Sequence, residues 1–416
     1  MARGSTDARA PKTRVKAATL RGALDDVIGI VEGRNTIPIL DHVLLQVVDQ
    51  RLTLTATDLD CWAVRECASD DRDGPDSRAW LDGIRNFAVA LPAKPLKAVL
   101  AGFDGDAMVT ITAPAEVGDK WSGQVTVQAG RARYKLNALP VADLPLAVGP
   151  QFEVGFEVPC SRLADALAAV EHAISSEETR YYLNGVYLHP ADLSLRFAAT
   201  DGHRLARWEV DAPDGGTNFP AVIVARKTVR ILDKLLASAV KAADKDGSPP
   251  EVLVEAANEG SRLRFVMPAA GGGTVELIAK PIDGTFPDYT RVIPTDAPHL
   301  ATIDRAALAE AIKRVAVLAS DKTRTVRATF AEGLLTLSAA SPDIGEASED
   351  VPCTYDGPEI VRGINADYWR AALAAAVSDT VAMRFNDDSA LPIRFAGWED
   401  NGEVGSLLQV LMPVRV

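Results

Sequence analysis

Cysteine is scarce and scattered: Cys61, Cys67, Cys160 and Cys353 are the four in 416 residues, and no two form a CxxC pair. That spacing offers neither a zinc ribbon nor a compact disulfide framework, which fits a reducing cytoplasm. Histidine is nearly as rare. The five, His42, His172, His189, His203 and His299, lie far apart without ligand spacing, so no metal and no other cofactor is expected. Long apolar runs are missing too; a membrane helix needs about eighteen such residues, and the most apolar helical stretch, 371–377, is far shorter. The first sixteen residues carry Arg3, Arg9, Lys12, Arg14 and Lys16 but no apolar segment, so a secretory signal is not expected. Positive charge is in deficit, 44 Lys and Arg against 57 Asp and Glu, a formal net charge of −13. That excludes a surface coated in basic residues for nucleic acid, yet leaves room for a local basic lining. No GxxxxGK[ST] phosphate loop occurs, and 270–274 (AGGGT) has no lysine, so no ATP-driven activity is expected.

What is present is a repeat. Residues 42–58 (HVLLQVVDQRLTLTATD), 185–201 (GVYLHPADLSLRFAATD) and 326–341 (VRATFAEGLLTLSAAS) share an apolar strand, a turn, an alternating strand and a small-residue ending. Each reads as a β-hairpin, turning at Asp49-Gln50, Pro190-Ala191-Asp192 and Ala331-Glu332-Gly333. The equivalent endings Asp58, Asp201 and Ser341 are about 143 and about 140 residues apart. A period of that size is a whole domain in tandem rather than a solenoid or propeller unit.

An amphipathic helix precedes each hairpin. Its buried face is marked by Leu20, Leu24, Val27 and Val31, then by Leu163, Leu167, Val170 and Ile174, then by Leu308, Ile312 and Val315. Ser161 and Asp304 are the expected N-caps of the second and third. A second helix follows each hairpin, over 95–102, 226–238 and 366–377, the last capped by Asn365. Pro95 suits a first helical turn, where its missing N–H would have no partner. Further strands, among them 134–138, 274–279 and 407–416, close the modules. The fold class is α+β: three tandem similar domains, each two helices packed on antiparallel β-sheet. Pro and Gly near 148–150 and 294–298 set the boundaries at 14–149, 150–295 and 296–416, after an N-terminal extension, 1–13, expected to be disordered. Segment 69–82, rich in Asp, Arg and Gly, reads as a surface insertion.

The blocks 180–185 (RYYLNG), 199–205 (ATDGHRL), 284–292 (GTFPDYTRV) and 411–416 (LMPVRV), with 33–40 (GRNTIPIL) and 56–59 (ATDL), resemble the β subunit of bacterial DNA polymerase III. The likeness to this sliding clamp family runs from about Val15 onward, in order and in spacing. It implies a DNA clamp fold in which two protomers join head to tail as a closed ring, helices inside and sheet outside. It also implies a non-catalytic, cytoplasmic processivity factor that encircles duplex DNA without reading its sequence. Its partners would be the polymerase III α subunit, a separate clamp loader and other clamp-motif proteins. The chain ends Val-Arg-Val where the family commonly has Met-Arg-Leu, which leaves open a housekeeping clamp or a divergent second copy.

The residues themselves offer a basic stripe. Arg226, Arg230 and Lys234 fall at i, i+4 and i+8, with Lys227 beside them, while Val229, Leu232 and Leu236 can face the sheet. Cations so placed meet phosphates without reading bases; Lys94, Lys97, Lys313 and Arg314 are further candidates. The resemblance adds Arg34, Arg180, Tyr181 and Tyr182 as DNA contacts, the tyrosines able to stack on exposed bases. It places a partner-peptide pocket at Leu183, Thr200, Gly202, Arg204, Leu205, Pro287, Arg291, Val292, Val410, Met412, Pro413, Val414 and Arg415. Apolar members of that set suit an apolar peptide side chain, and the arginines an extended backbone. It sets Tyr134 and Leu136 of one protomer opposite Val317 and Leu318 of the other at the dimer interface.

Two other readings compete. Asp201 and His203 in TDGHR could be an acid/base pair, with Asp58 and Asp60 holding a metal, but no nucleophile or second ligand set accompanies them. A repeat scaffold that binds peptides without encircling DNA is the second, and the basic stripe argues against it.

Overall fold

The computed structural model describes residues 11–32, 36–48, 51–67, 86–114, 120–145, 151–241, 248–319, 324–342, 344–399 and 402–415. Arg34, the 69–82 insertion and residues 1–10 of the extension lie outside them.

The first module runs β1 (Lys12–Lys16), α1 (Ala17–Ile28), β2 (His42–Val48), β3 (Arg51–Thr57), β4 (Cys61–Cys67), β5 (Phe87–Pro92), α2 (Ala93–Ala101), β6 (Met108–Thr112), β7 (Gly123–Ala129) and β8 (Ala132–Ala138). The central module repeats the plan as β9 (Val154–Pro159), α3 (Cys160–Glu171), β10 (Gly185–Ala191), β11 (Ser194–Thr200), β12 (Arg204–Asp211), β13 (Val222–Ala225), α4 (Arg226–Lys241), β14 (Glu251–Ala257), β15 (Arg262–Pro268) and β16 (Gly273–Ala279). The third gives β17 (His299–Asp304), α5 (Arg305–Val315), β18 (Thr325–Ala331), β19 (Leu334–Ser341), β20 (Gly345–Thr354), β21 (Ile360–Asn365), α6 (Ala366–Ala375), β22 (Thr380–Phe385), β23 (Ile393–Glu399) and β24 (Gly402–Leu411). Each module therefore holds two helices and antiparallel strands, as the periodicity requires.

The helices form where one apolar stripe can be buried. Leu20, Leu24 and Val27 of α1, Leu163, Leu167 and Val170 of α3, and Leu308, Ile312 and Val315 of α5 are all buried. Asp304 caps α5 by accepting from the Ala307 N–H at 2.7 Å, and Asn365 caps α6 by accepting from Asp367 and Tyr368, both at 3.0 Å. Four details differ from the expectations. Ser161 does not cap α3, because the helix already begins at Cys160 and Ser161 lies inside its first turn. Val31 lies beyond α1, and Ile30 is buried in its place. Lys12 and Thr13 belong to β1 rather than to a disordered extension: they pair with Thr112 and Ile111, and Thr13 and Val15 alternate inward, which gives the segment a buried face. The helix starting at Pro95 begins two residues earlier, at Ala93.

The described residues cluster into two compact units. One, drawn from Met1–Ala164, Pro213–Gly215 and Arg230–Pro281, holds a four-stranded sheet, β1-β6-β7-β8, and an eight-stranded sheet, β5-β2-β3-β4-β16-β15-β14-β9. The other, drawn from Asp165–Ala212, Gly216–Val229 and Ile282–Val416, holds a twelve-stranded sheet, β13-β10-β11-β12-β24-β23-β22-β17-β20-β19-β18-β21. Sheet thus runs across module boundaries, through β4 with β16 and through β12 with β24. The central module divides between the units because its two sheets join different neighbours.

Candidate functional site

In the second unit a cluster of buried side chains, Leu183, Ala198, Leu205, Ile223, Phe286, Tyr289, Leu408 and Val410, lies on one face of the β10–β11–β12–β24 sheet. Leu205 and Val410 are cross-strand partners, so central and third modules each supply part of one apolar floor. Leu183 reaches it from a 3-10 helix, Tyr181–Leu183, held by the Ser175 N–H on the Leu183 carbonyl at 3.1 Å.

The turn between β11 and β12 forms the polar wall. Thr200 Oγ1 donates to the Arg204 carbonyl at 2.7 Å and accepts from the Gly202 N–H at 3.1 Å. Gly202 sits at φ +87°, and a Cβ there would lie 2.6 Å from Arg180 Nη1, so a side chain would be strained and crowded. Asp201 Oδ1 accepts from the N–H groups of His203 and Arg204 at 2.9 and 3.0 Å, while Oδ2 pairs with Arg204 Nε at 3.1 Å. Both carboxylate oxygens are occupied in shaping the turn.

The C-terminal segment joins this wall. The Met412 N–H donates to the His203 carbonyl at 2.9 Å, and the Val414 N–H to the Gly363 carbonyl at 2.8 Å. Met412, Pro413 and Val414 are half-buried and Arg415 is exposed. Across the floor, Phe286 and Tyr289 anchor a loop that leaves Pro287, Arg291 and Val292 exposed, with Arg291 Nε 3.9 Å from Asp288. The structure therefore gathers Leu183, Leu205 and Val410 closely, sets Thr200, Gly202, Arg204 and Met412 beside them, and leaves Arg291 and Arg415 directed to solvent. Two residues of this site are not among those the resemblance implies. His203 and Tyr368 stack with ring centres 6.2 Å apart, and Arg204 lies over Tyr368. His203 lies within the ATDGHRL block; Tyr368 gives no signal beyond its place one turn after the capping Asn365.

The basic stripe lies on α4. Arg230 and Lys234 are exposed, Arg226 and Lys227 half-buried, and Val229, Leu232 and Leu236 buried on the other side. Arg226 Nη2 also donates to the Ile174 carbonyl at 3.3 Å. Tyr181 is 53% exposed and meets Tyr182 edge to face at 5.8 Å. Arg180 is held by Glu177 through two bonds of 2.7 Å, as Lys97 is by Asp25 at 2.6 Å and Arg314 by Glu349 at 2.6 Å. Each of these three must exchange a carboxylate for a phosphate in order to meet DNA.

Three family profiles match the chain in tandem: the DNA polymerase III β subunit N-terminal domain over residues 12–148, its central domain over 157–288 and its C-terminal domain over 290–415. The chain belongs to the DNA polymerase III β subunit family. It is 34% identical over 410 residues to the β sliding clamp of Caulobacter vibrioides, covering 97% of this chain and 100% of that one. To the β sliding clamp of Escherichia coli K12 it is 31% identical over 408 residues, covering 97% and 100%. Among solved structures it is similar to the sliding clamp of Bartonella birtlesii bound to griselimycin, with TM-score 0.84 and 31% identity over 98% of this chain and 100% of that one. The Caulobacter crescentus clamp matches with TM-score 0.83 and 33% identity, covering 98% and 100%. Members of this family are non-catalytic processivity factors of DNA polymerase III, and this chain is such a factor. Among the described residues, no helix is long and apolar enough to cross a membrane.

Proposed function

We propose that the chain acts in the cytoplasm as a head-to-tail homodimer, closed as a ring around duplex DNA, and tethers the polymerase α subunit and other partners through the cleft described above. The observation that carries this reading is the order of the three matched modules, each with its own pair of helices. Six such modules from two copies suffice for a ring, with the α4 stripe as part of a lining that holds phosphates loosely. Few phosphate contacts serve sliding, since each neutralised phosphate adds a log-log salt slope of roughly 0.9.

Two open strand edges support the dimer. Along the outer edge of β8 no strand pairs among the described residues, the bridge of Leu139 with Ala90 lying just past its end, and the strand exposes Arg133, Tyr134 and Lys135 with Leu136 half-buried. On β20, β17 pairs only with Cys353 and Thr354, so Gly345–Pro352 has no strand on that side among the described residues. That edge bears Glu346 and Asp350, and the 3-10 helix Ala316–Leu318, with Val317 71% exposed, packs beside it. A basic edge meeting an acidic one, with Tyr134 and Leu136 against Val317 and Leu318, is complementary in charge and in apolar surface.

The cleft, with its buried leucines and valine, half-buried Met412 and two stacked rings, suits a short extended peptide carrying an apolar anchor. Affinity near micromolar, about −8 kcal/mol, would let several partners exchange. A topology assay tests the whole reading. Protein loaded by a clamp loader should stay on circular plasmid and leave when the plasmid is linearised; equal release from both forms would refute the ring and favour a peptide-binding scaffold.

A further inference from the structure

The two places where sheet passes from one module to the next are built differently. The repeat that equates Asp58 with Asp201 also equates Arg65 on β4 with Trp208 on β12. At the first junction β4 and β16 pair from Cys61↔Ala279 to Cys67↔Gly273, and β16 continues onto β15 without a break in register. Arg65 is 1% exposed there. Its Nε donates to Asp26 Oδ2 at 2.8 Å, its Nη2 to the carbonyls of Ala270 and Gly272 at 3.0 and 2.8 Å, and its Nη1 to the Glu66 carbonyl. Asp26 is on α1, and Ala270 and Gly272 are in the turn between β15 and β16. One guanidinium therefore ties the helix and strand of the first module to a turn of the central one. Gly271, Gly272 and Gly273 follow with φ of 81°, 85° and 80°, a run of left-handed backbone that side chains would strain.

Among the described residues the second junction has no buried guanidinium of this kind. Strands β12 and β24 pair only from Arg204↔Leu411 to Trp208↔Leu407. Pairing of β24 with β23 slips at the same level: Ala396 faces Leu408, but Gly397 faces Val404, so 405–407 bulge beside Trp208. The Trp208 Nε1 is buried without a hydrogen-bond partner among the described residues. The repeat position of Asp26 is Ala169. A cavity of about 270 Å³ opens among Trp208, Val377, Gly397, Gly405, Leu407 and Gln409, on the face of β24 opposite to Leu408 and Val410.

We propose that Arg65 and Asp26 bolt the first module to the central one, and that of the two junctions the one between β12 and β24 opens more readily. Removing one partner of a buried, hydrogen-bonded ion pair leaves an uncompensated charge, which makes the first junction hard to distort. A shorter ladder, a bulge and a cavity leave the second less tightly held. Amide hydrogen exchange on the full chain tests this. Amides of β4 and β16 should exchange about tenfold or more slowly than those of β12 and β24. Arg65→Met should close that gap by accelerating the first ladder alone. Asp26→Asn, which keeps the side-chain shape, should narrow it and remains informative if Arg65→Met does not fold. Equal protection of the two ladders in the native chain, or acceleration of both alike by either variant, overturns the proposal.

Discussion

The Arg204 guanidinium lies 4.4 Å from the centre of the Tyr368 ring while its Nε holds the Asp201 carboxylate at 3.1 Å. The central module supplies the cation and the third module the ring. Arg204 is thereby fixed at the edge of the apolar floor formed by Leu183, Leu205 and Val410.

Replacing Tyr368 by Ala removes a cation–π contact worth about 1 kcal/mol. A short extended peptide with an apolar anchor, of the kind proposed for the cleft, serves as the probe. Its affinity by calorimetry is expected to fall roughly fivefold in Tyr368→Ala and to be kept in Tyr368→Phe. An unaltered affinity in the alanine variant would detach this ring from the cleft.

Charge reversal at Arg230 and Lys234 should shorten retention on closed circular DNA. With two phosphates no longer neutralised, the log-log salt slope is expected to shrink by about 2, while affinity for the apolar-anchor peptide stays unchanged. A salt slope equal to that of the native chain would remove α4 from the DNA-facing surface.

Val317→Asp should convert the dimer to monomer in sedimentation velocity while each protomer stays folded by circular dichroism, because that side chain is mostly exposed in its own protomer. Lys135→Glu should weaken the dimer, and Glu346→Lys combined with it should restore much of the loss. A Val317→Asp protein that sediments as native dimer would move the interface elsewhere.

Burial, joined by the nearby charge of Arg204, holds the His172 imidazole down to about 4, from 6.5. Between those values the unfolded chain binds a proton that the folded chain does not. Stability is therefore intact above about pH 6.5 and declines as pH falls through that window, by up to about 3 kcal/mol at this residue. His42 and His189, lowered chiefly by burial, act in the same direction. Urea midpoints at pH 7.5 and 4.5 should diverge less in His172→Gln than in the native chain. Identical divergence would assign the acid sensitivity to other groups.

Local patterning carried much of the fold. The apolar stripes of α1, α3 and α5 and the alternating hairpins repeat at a domain-sized interval, and the caps at Asp304 and Asn365 follow from side chains that satisfy open helix N–H groups. What eluded sequence reading depends on distant partners. Nothing in residues 204–211 announces that their strand will pair with 402–411, nor that Arg65 will bond the carbonyls of Ala270 and Gly272. Ser161 is a cap by residue type, but α3 starts one residue before it, at Cys160. Tyr368 was invisible for the same reason: its importance comes from Arg204, which the sheet alone brings near.

The pairing of β12 with β24 also orders events during synthesis. Residues 204–208 emerge from the ribosome nearly two hundred residues before 407–411, the segment that seals their open edge. Until then Leu205 and Ala206 have no cross-strand cover from Val410 and Gln409. The central module must wait with one edge of β12 uncovered, a state prone to mispairing with other nascent chains. Slow translation between the two segments should lengthen that exposure, and chaperone demand should rise with it.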